Sequence, residues 1–377
     1  MNGLTEAEMV DLKAARIGID PYLAWVEKED LLVHEGYYAY LKEAETRYWP
    51  RVGVKAAAFH LKGRGDFGNL FVFDIPPAGA TTPQRHLYEE VVYVLEGSGS
   101  TRIELANGEN RSFEWGEGSM FAIPLNAAYR HYNSSGRERC LLSSSTNLPL
   151  VMNTFYDETF VFNNLHDFEG RFGEEKFFSG EGKLTMVRPG NNLWETNFVP
   201  DLKFIELKPW AERGGGSSNI MFVLANGMMH AHISEMPVGT YKKAHRHGSG
   251  LHVMCVSGVG YSLLWFEGDR DFTRIDWKHG LMFPPADNQF HQHFNVSKEP
   301  ARYFATGIGS IRYPFIYPMH KAFGTLKGGT QGASTSVKEG GDQIEYPDQD
   351  QRIQPMFEEE CRKNGVEQRM DKFFAKE

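Results

Sequence analysis

An internal repeat constrains the fold of this 377-residue chain more than any other feature. An ordered series of residues occurs twice, and the two copies align without gaps across each motif. The matched pairs, at offsets of 161 or 162 positions, are His86 and His247, Gly97 and Gly258, Trp115 and Trp277, Gly118 and Gly280, and Asn133 and Asn295. Such a series indicates two copies of one structural unit that fold in the same way.

Each copy is rich in short runs of β-branched and aromatic residues separated by turn residues. In the first copy these runs include 69–75, 91–95 and 101–105, and the last leads into the turn dipeptide Asn107-Gly108. The same order recurs from Asn219 to Tyr313. Regularly spaced short strands with turn signals are typical of all-β barrels and sandwiches.

The second copy carries three histidines in a pattern that favours metal binding. His245 and His247 are one residue apart, so in an extended strand both side chains project from the same side. His291 follows 44 positions after His247, beyond a turn and a second β-type run. Neutral imidazoles on neighbouring strands suit iron, zinc, copper or nickel. The alternative is that the three histidines only form hydrogen bonds inside a polar cavity.

The first copy lacks part of this set. In the register of the repeat, Gln84 stands where His245 stands, and Tyr129 stands where His291 stands. Amides and phenols are poor ligands beside imidazoles and carboxylates. We therefore predict structural roles for the remaining His86, Glu90 and His131, and a scaffolding role for the first copy.

The two motifs of the second copy, GTYKKAHRHGSGLHVMCVSG and GLMFPPADNQFHQHFN, resemble the two motifs of the cupin superfamily. Residues from about 50 to 315 resemble two-cupin proteins similar to gentisate and salicylate 1,2-dioxygenases. The resemblance implies an all-β fold with two double-stranded β-helix barrels in tandem. It also implies His245, His247 and His291 as metal ligands, although in the gentisate family the metal usually lies in the first barrel.

A fourth ligand is an open question in the sequence. Cupins commonly place a glutamate four residues after the second histidine, as Glu90 follows His86, but here that position is Leu251. A one-residue bulge would turn the adjacent His252 inward as a fourth ligand. Without the bulge, strand alternation turns His252 away. The site then has three histidines and no carboxylate, the set known in gentisate-type dioxygenases.

Three further histidines are candidate catalytic residues. His230 and His232 form a second H-x-H pair on the strand before the metal motif, and both face either the pocket or solvent. If they face inward, one can act as a general base or bind a substrate oxygen. His293 follows His291 by two residues and can contact substrate or support the ligands.

The resemblance implies a non-haem Fe(II)-dependent dioxygenase that cleaves a C–C bond in a hydroxylated aromatic acid or a similar bidentate small molecule. Mn, Ni and Zn are alternative metals. One alternative function is a metal-dependent lyase, isomerase or decarboxylase that does not use oxygen. A bicupin that binds a small molecule without catalysis is the other alternative. Fold alone does not separate these functions, because one fold hosts many chemistries.

Composition and charge argue against nucleic-acid and membrane partners. A net charge of −9 and a pI near 5.9 argue against a nucleic-acid-binding surface. The N-terminus lacks an apolar signal region, and no window approaches the ~18 consecutive apolar residues of a membrane span. Three scattered cysteines without a C-x-x-C motif fit reduced thiols. We therefore expect a cytoplasmic protein with a small-molecule substrate.

The predicted organisation has five parts. A helical N-terminal arm covers 1–50, with helices over 6–16, 22–29 and 41–49, and the two barrels cover 51–146 and 214–315. Between them, 147–213 is aromatic-rich without β pattern, which predicts an irregular cover over the barrels or a pocket. Residues 316–377 form an extended Gly/Ser-rich arm and a short helix over 356–364 that ends at Gly365. Such arms often wrap a neighbouring subunit, so we expect a homo-oligomer.

Overall fold

The structure, a computed structural model, describes residues 17–104, 107–108, 110–188, 190–248, 250–310, 312–313 and 334–374. The helix predicted over 6–16 and most of the Gly/Ser-rich stretch that begins at residue 328 lie outside these ranges. None of the helices in the described residues is long and apolar enough to cross a membrane. All three cysteines are free and buried.

The described part of the N-terminal segment, residues 17–50, contains one helix and three short strands. Helix α1 (Pro21–Lys28) begins after Asp20, whose side chain accepts a hydrogen bond from the Leu23 amide. Strands β1 (Val33–Gly36), β2 (Ala39–Tyr40) and β3 (Arg47–Trp49) follow. The prediction of a third helix over 41–49 is wrong. Only a 3₁₀ turn spans 41–43, and β3 pairs antiparallel with the first strand of the first barrel, so sheet pairing outweighs helical periodicity.

The first barrel consists of two facing sheets. Its strands are β4 (Val54–Leu61), β5 (Asn69–Ile75), β6 (Glu90–Glu96), β7 (Ser98–Glu104), β8 (Asn110–Gly116), β9 (Met120–Ala122), β10 (Ala128–Asn133) and β11 (Cys140–Thr146). The larger sheet has the order β1-β4-β5-β11-β6-β9, with β3 beside β4, and the smaller sheet has the order β10-β7-β8. A buried aromatic and aliphatic core fills the space between the sheets.

The segment between the barrels is more regular than predicted. It contains helices α2 (Leu148–Phe155) and α3 (Glu158–Asn163) and strands β12 (Lys183–Arg188), β13 (Asn191–Thr196), β14 (Phe198–Val199) and β15 (Lys208–Pro209). Val161, Phe172 and Phe178 join the core of the first barrel. Strand β14 pairs with β9, whereas β13 pairs with the second barrel. The segment therefore caps the first barrel and links it to the second.

The second barrel repeats the arrangement of the first. Its strands are β16 (Ser218–Leu224), β17 (Met229–Met236), β18 (Ala244–His245), β19 (His252–Ser257), β20 (Gly260–Trp265), β21 (Thr273–Asp276), β22 (Leu281–Phe283), β23 (Phe290–Asn295) and β24 (Ala301–Ile308). The larger sheet has the order β12-β13-β16-β17-β24-β19-β22-β2, with β15 beside β16. The smaller sheet has the order β21-β20-β23-β18, and the late strand β25 (Gln343–Ile344) pairs with β18.

The two barrels pack through their large sheets. Residues of β5, β6, β17 and β24 share one buried cluster, in which the rings of Tyr93 and Phe304 have centroids 5.3 Å apart. Strand β2 from the N-terminal segment completes an edge of the second barrel. The predicted fold class, tandem double-stranded β-helix barrels, is confirmed.

The C-terminal helices pack on their own chain. In helix α4 (Ile353–Asn364), Phe357 and Cys361 are buried against Tyr241 and Phe294 on the outer face of the small sheet, and helix α5 (Asp371–Phe374) follows. Gly365 ends α4 with φ +63°, as its predicted role as a stop requires.

Repeated side-chain contacts explain the repeated residues. Asn133 and Asn295 each donate the side-chain amide to three backbone carbonyls, two at the end of an earlier strand and one just beyond. The carbonyls are those of Ile75, Pro76 and Glu138 for Asn133, and of Met236, Pro237 and Glu299 for Asn295. Gly97 and Gly258 have φ values of +87° and +83°, where a side chain would be strained.

We expect Asn133→Ala to lower the free energy of unfolding by about 1–3 kcal/mol, because buried carbonyls would lose their donor. Urea denaturation followed by circular dichroism measures this change. Asn110→Ala is the control, since that side chain is exposed. Equal losses in the two variants would contradict the structural role of Asn133.

Candidate metal centre

The structure brings the three predicted metal ligands together. Strand β18 pairs antiparallel with β23 so that His245 lies opposite His291, and His247 follows two residues later. The ring centroids are 4.1 Å apart for His245 and His291, 4.7 Å for His247 and His291, and 5.4 Å for His245 and His247. One ring nitrogen from each histidine lies within 4.8 Å of the others.

Backbone carbonyls orient two of these rings. His247 Nδ1 lies 2.7 Å from the Gly248 carbonyl oxygen, and His291 Nδ1 lies 3.1 Å from that of Gln289. Since a carbonyl only accepts, each Nδ1 carries the proton and each Nε2 keeps its lone pair. His291 Nε2 lies 3.1 Å from His245 Nε2, while the buried His245 Nδ1 has no partner among the described residues. This donor set fits a divalent transition metal.

The electrostatic environment keeps the three rings neutral. Burial lowers the pKa of His245 and His291 well below the usual range, and it also lowers the pKa of His247. The guanidinium of Arg213 acts in the same direction on all three rings. Neutral imidazole is the form that binds metal, so the rings need not lose a proton first.

The structure does not bring His252 to this group. Its Nδ1 lies 3.0 Å from Ser145 Oγ, on β11 of the first barrel. Strand β19 begins at His252, which pairs with Thr306, and the irregularity in that pairing lies between Cys255 and Ser257. The bulge needed for a fourth ligand is therefore absent from the described part of this strand, and the prediction of His252 as a ligand is corrected.

His230 and His232 face the interior of the second barrel. They alternate along β17 with Met229, Ala231 and Ile233, which belong to the buried cluster between the barrels. His230 Nε2 lies 2.7 Å from His232 Nδ1, so one ring donates a hydrogen bond to the other. Burial lowers the pKa of His230 to about 4, and it also lowers the pKa of His232 well below its usual range. The inward alternative of the sequence analysis is therefore the observed one.

His293 lies in a layer next to His291, with ring centroids 5.5 Å apart. Its Nδ1 lies 2.8 Å from Ser262 Oγ, which also accepts a hydrogen bond from Trp277 Nε1 at 2.8 Å. The ring also packs against Tyr303, with centroids 4.5 Å apart. His293 is thus held firmly beside the ligands, with its orientation set by Ser262.

The sequence analysis missed Lys242 and Tyr303. Lys242 is 1% exposed, and its Nζ donates a hydrogen bond of 3.1 Å to the Tyr303 hydroxyl. Lys242 belongs to the basic run of the metal motif, so its position three residues before His245 was a usable signal. Tyr303 on β24 had no signal in the sequence, because only the packing of the large sheet against the small sheet brings it to His293.

The corresponding position in the first barrel is filled by hydrogen-bonded side chains. Gln84 pairs with Tyr129 across two strands, as His245 pairs with His291. The Gln84 amide donates to Thr82 Oγ1 at 2.7 Å, while the Tyr129 hydroxyl lies 2.9 Å from His86 Nε2. This arrangement fits the predicted scaffolding role.

Glu90 completes that network as a buried carboxylate. It accepts a hydrogen bond of 2.6 Å from Ser144 Oγ and lies 3.3 Å from His86 Nε2. Burial alone would raise the pKa of Glu90, but the interactions with His86, His131 and Ser144 lower it to about 2. The carboxylate is therefore ionised and occupied by its protein partners.

A comparison with protein families agrees with the fold of the first barrel, because residues 54–175 match the family model described as Cupin. Solved structures of oxalate decarboxylase are similar to the chain. One, of the Bacillus subtilis enzyme with Mn(II) centres, has 12% identity over 73% of this chain and 78% of that chain, with a TM-score of 0.45. Another has 14% identity over the same shares, with a TM-score of 0.45. No curated protein matched the sequence.

We expect wild-type protein purified without oxygen to hold about one metal ion per chain, because one neutral histidine set occurs among the described residues. The double variant His245→Ala/His247→Ala should lose this metal, as measured by elemental analysis. Gln84→Ala/His86→Ala, the matched pair in the first barrel, should keep it. Two ions per wild-type chain, or one ion retained by the first double variant, would contradict the assignment.

We expect His252→Ala to keep its metal while losing stability, because Ser145 loses its buried partner at a cost of about 1–3 kcal/mol. Metal content and the urea midpoint are measured on the same preparation. Stoichiometric loss of metal, with the fold intact by circular dichroism, would show that the three-histidine site is wrong.

Proposed function

We propose that the chain is a metal-dependent enzyme that converts a small bidentate molecule in the second barrel without using dioxygen, as a lyase, isomerase or decarboxylase. His245, His247 and His291 would hold the metal, with Mn and Fe(II) both compatible with three neutral imidazoles. When bound, such a metal supplies Lewis-acid polarisation of a substrate oxygen. Three ligands on one side leave positions for both oxygens of a bidentate substrate.

The observation that carries this proposal is the His230–His232 hydrogen bond inside the same barrel. Burial keeps both rings uncharged, so the pair holds one proton between two nitrogens and an acceptor remains available. A positioned pair of this kind can remove a proton from substrate and return it later. Such proton transfer is what a lyase, an isomerase or a decarboxylase requires.

Other residues position the substrate and exclude water. Ser262 fixes the orientation of the His293 ring beside His291. The rings of Trp277 and Tyr303 pack at 5.7 Å between centroids, and both side chains are buried. An enclosure of this type strengthens electrostatic contacts to a bound molecule, because it lowers the local dielectric.

A second candidate is the Fe(II)-dependent dioxygenase implied by the resemblance to gentisate and salicylate 1,2-dioxygenases. The specific observation in its favour is the ligand set itself, three histidines with Leu251 where cupins commonly carry glutamate. Such a set leaves room for a substrate and oxygen together. The two candidates differ in one requirement, the consumption of dioxygen.

We expect product to form at the same rate under argon and in air when the Mn(II)-loaded chain is incubated with a panel of small hydroxy acids and dicarboxylic acids. His232→Gln should lower kcat by about tenfold to a thousandfold with little change in KM, because proton transfer rather than binding is impaired. The measurement combines anaerobic product analysis with an oxygen electrode. Oxygen uptake equal to product formed would overturn the first candidate in favour of the second.

A further inference from the structure

Lys242 is a buried lysine without a carboxylate partner among the described residues. Its Nζ makes one hydrogen bond, to Tyr303, and lies 4.9 Å from the Tyr303 ring centroid and 5.8 Å from that of Trp210. No carboxylate of the described residues forms an ion pair with it. An ammonium group has three donors, so two remain for another molecule.

The surroundings of Lys242 add positive charge rather than negative. Arg213 is 2% exposed, and it donates a hydrogen bond of 2.9 Å to Gln343 Oε1. The buried carboxylates among the described residues are Glu89 and Glu90, which both lie in the first barrel. A buried cation is costly unless an anion accompanies it. Among the described residues, no buried carboxylate therefore lies in the second barrel beside Lys242.

Lys242 lies within reach of the metal ligands. The ring of its partner Tyr303 packs on His293, with centroids 4.5 Å apart, and His293 packs on His291 at 5.5 Å. A small molecule that spans these layers can contact the triad at one end and Lys242 at the other.

The backbone around Lys242 is fixed in place. Its amide donates to the His293 carbonyl at 3.1 Å, and its carbonyl accepts from Gln292 Nε2 at 2.8 Å. Burial, followed by the charge of Arg213, lowers the pKa of Lys242 well below its usual range. An anion beside the amine would reverse this effect, because it stabilises the protonated form.

We propose that Lys242 anchors a carboxylate, or a comparable anionic group, at the end of the substrate that does not reach the three histidines. The substrate class is then a small molecule with a bidentate oxygen head and an anionic tail. This inference rests on the proposed function, because it places the head of the substrate at the triad.

The test uses matched probes that differ only in the tail. The Mn(II)-loaded full chain is titrated calorimetrically with L-malate against its β-amide, and with 2,3-dihydroxybenzoate against 2,3-dihydroxybenzamide. We expect the wild type to bind the anionic member of at least one pair about tenfold or more tightly, as charged hydrogen bonds allow. Lys242→Met should abolish this preference, whereas Lys242→Arg should restore part of it.

Lys243→Met is the matched control, because the neighbouring Lys243 pairs with Glu345 at 2.5 Å and should leave the preference unchanged. Lys242→Gln replaces the methionine variant if circular dichroism shows that the latter does not fold. A preference that survives loss of Lys242, or no anion preference in the wild type, overturns the inference. Titration of the metal-free chain separates the two proposals. An anion preference in that chain supports the anion-binding role of Lys242 even if the chain proves not to be a metal-dependent enzyme.

Discussion

The cross-strand pairing of β18 with β23 is the constraint on which the candidate site depends. Antiparallel pairing places His245 directly opposite His291, so two imidazoles meet on the same face without any help from a loop. The carbonyls of Gly248 and Gln289 then set which nitrogen of the neighbouring rings keeps its lone pair. The first barrel has the same pairing between Gln84 and Tyr129. On a common backbone, the two barrels thus differ in the two side chains at the position that we assign to metal binding.

The first barrel still contributes to the site through packing. Its β6 and β11 lie against β17 and β24, the strands that carry His230, His232 and Tyr303. The hydrogen bond between Ser145 and His252 crosses this interface, which explains why a histidine at the edge of the metal motif is absent from the metal site. Two short strands further connect the barrels. Strand β2, which precedes the first barrel in sequence, pairs with β22 of the second barrel, and β14, which follows the first barrel, pairs back with β9.

The internal repeat made much of the two-barrel fold predictable from the sequence. Residues that recur at a fixed offset include Asn133 and Asn295, whose identical carbonyl contacts leave little freedom for substitution. The grouping of His245, His247 and His291 was predictable for a different reason, the H-x-H spacing on one strand and the later β-type run that carries His291. The short pairings of β2, β3 and β14 were not, since two or three residues carry too little periodicity to separate a strand from a helix. The burial of Lys242 was also not predictable from the sequence. Residues 242–243 lie outside any strand, so strand alternation does not assign their faces, and the neighbouring Tyr241 faces the C-terminal helix.

The two barrels differ most in how their buried charge is balanced. In the first, the Glu90 carboxylate is held by Ser144 and His86, and the Tyr129 hydroxyl also contacts His86, so the buried carboxylate has partners within its own barrel. In the second, neutral histidines surround Lys242, and no buried carboxylate of the described residues is present. A divalent metal would add further positive charge to this barrel. Because a buried charge without a counterion is costly, the anionic substrate tail that we propose would balance Lys242 there.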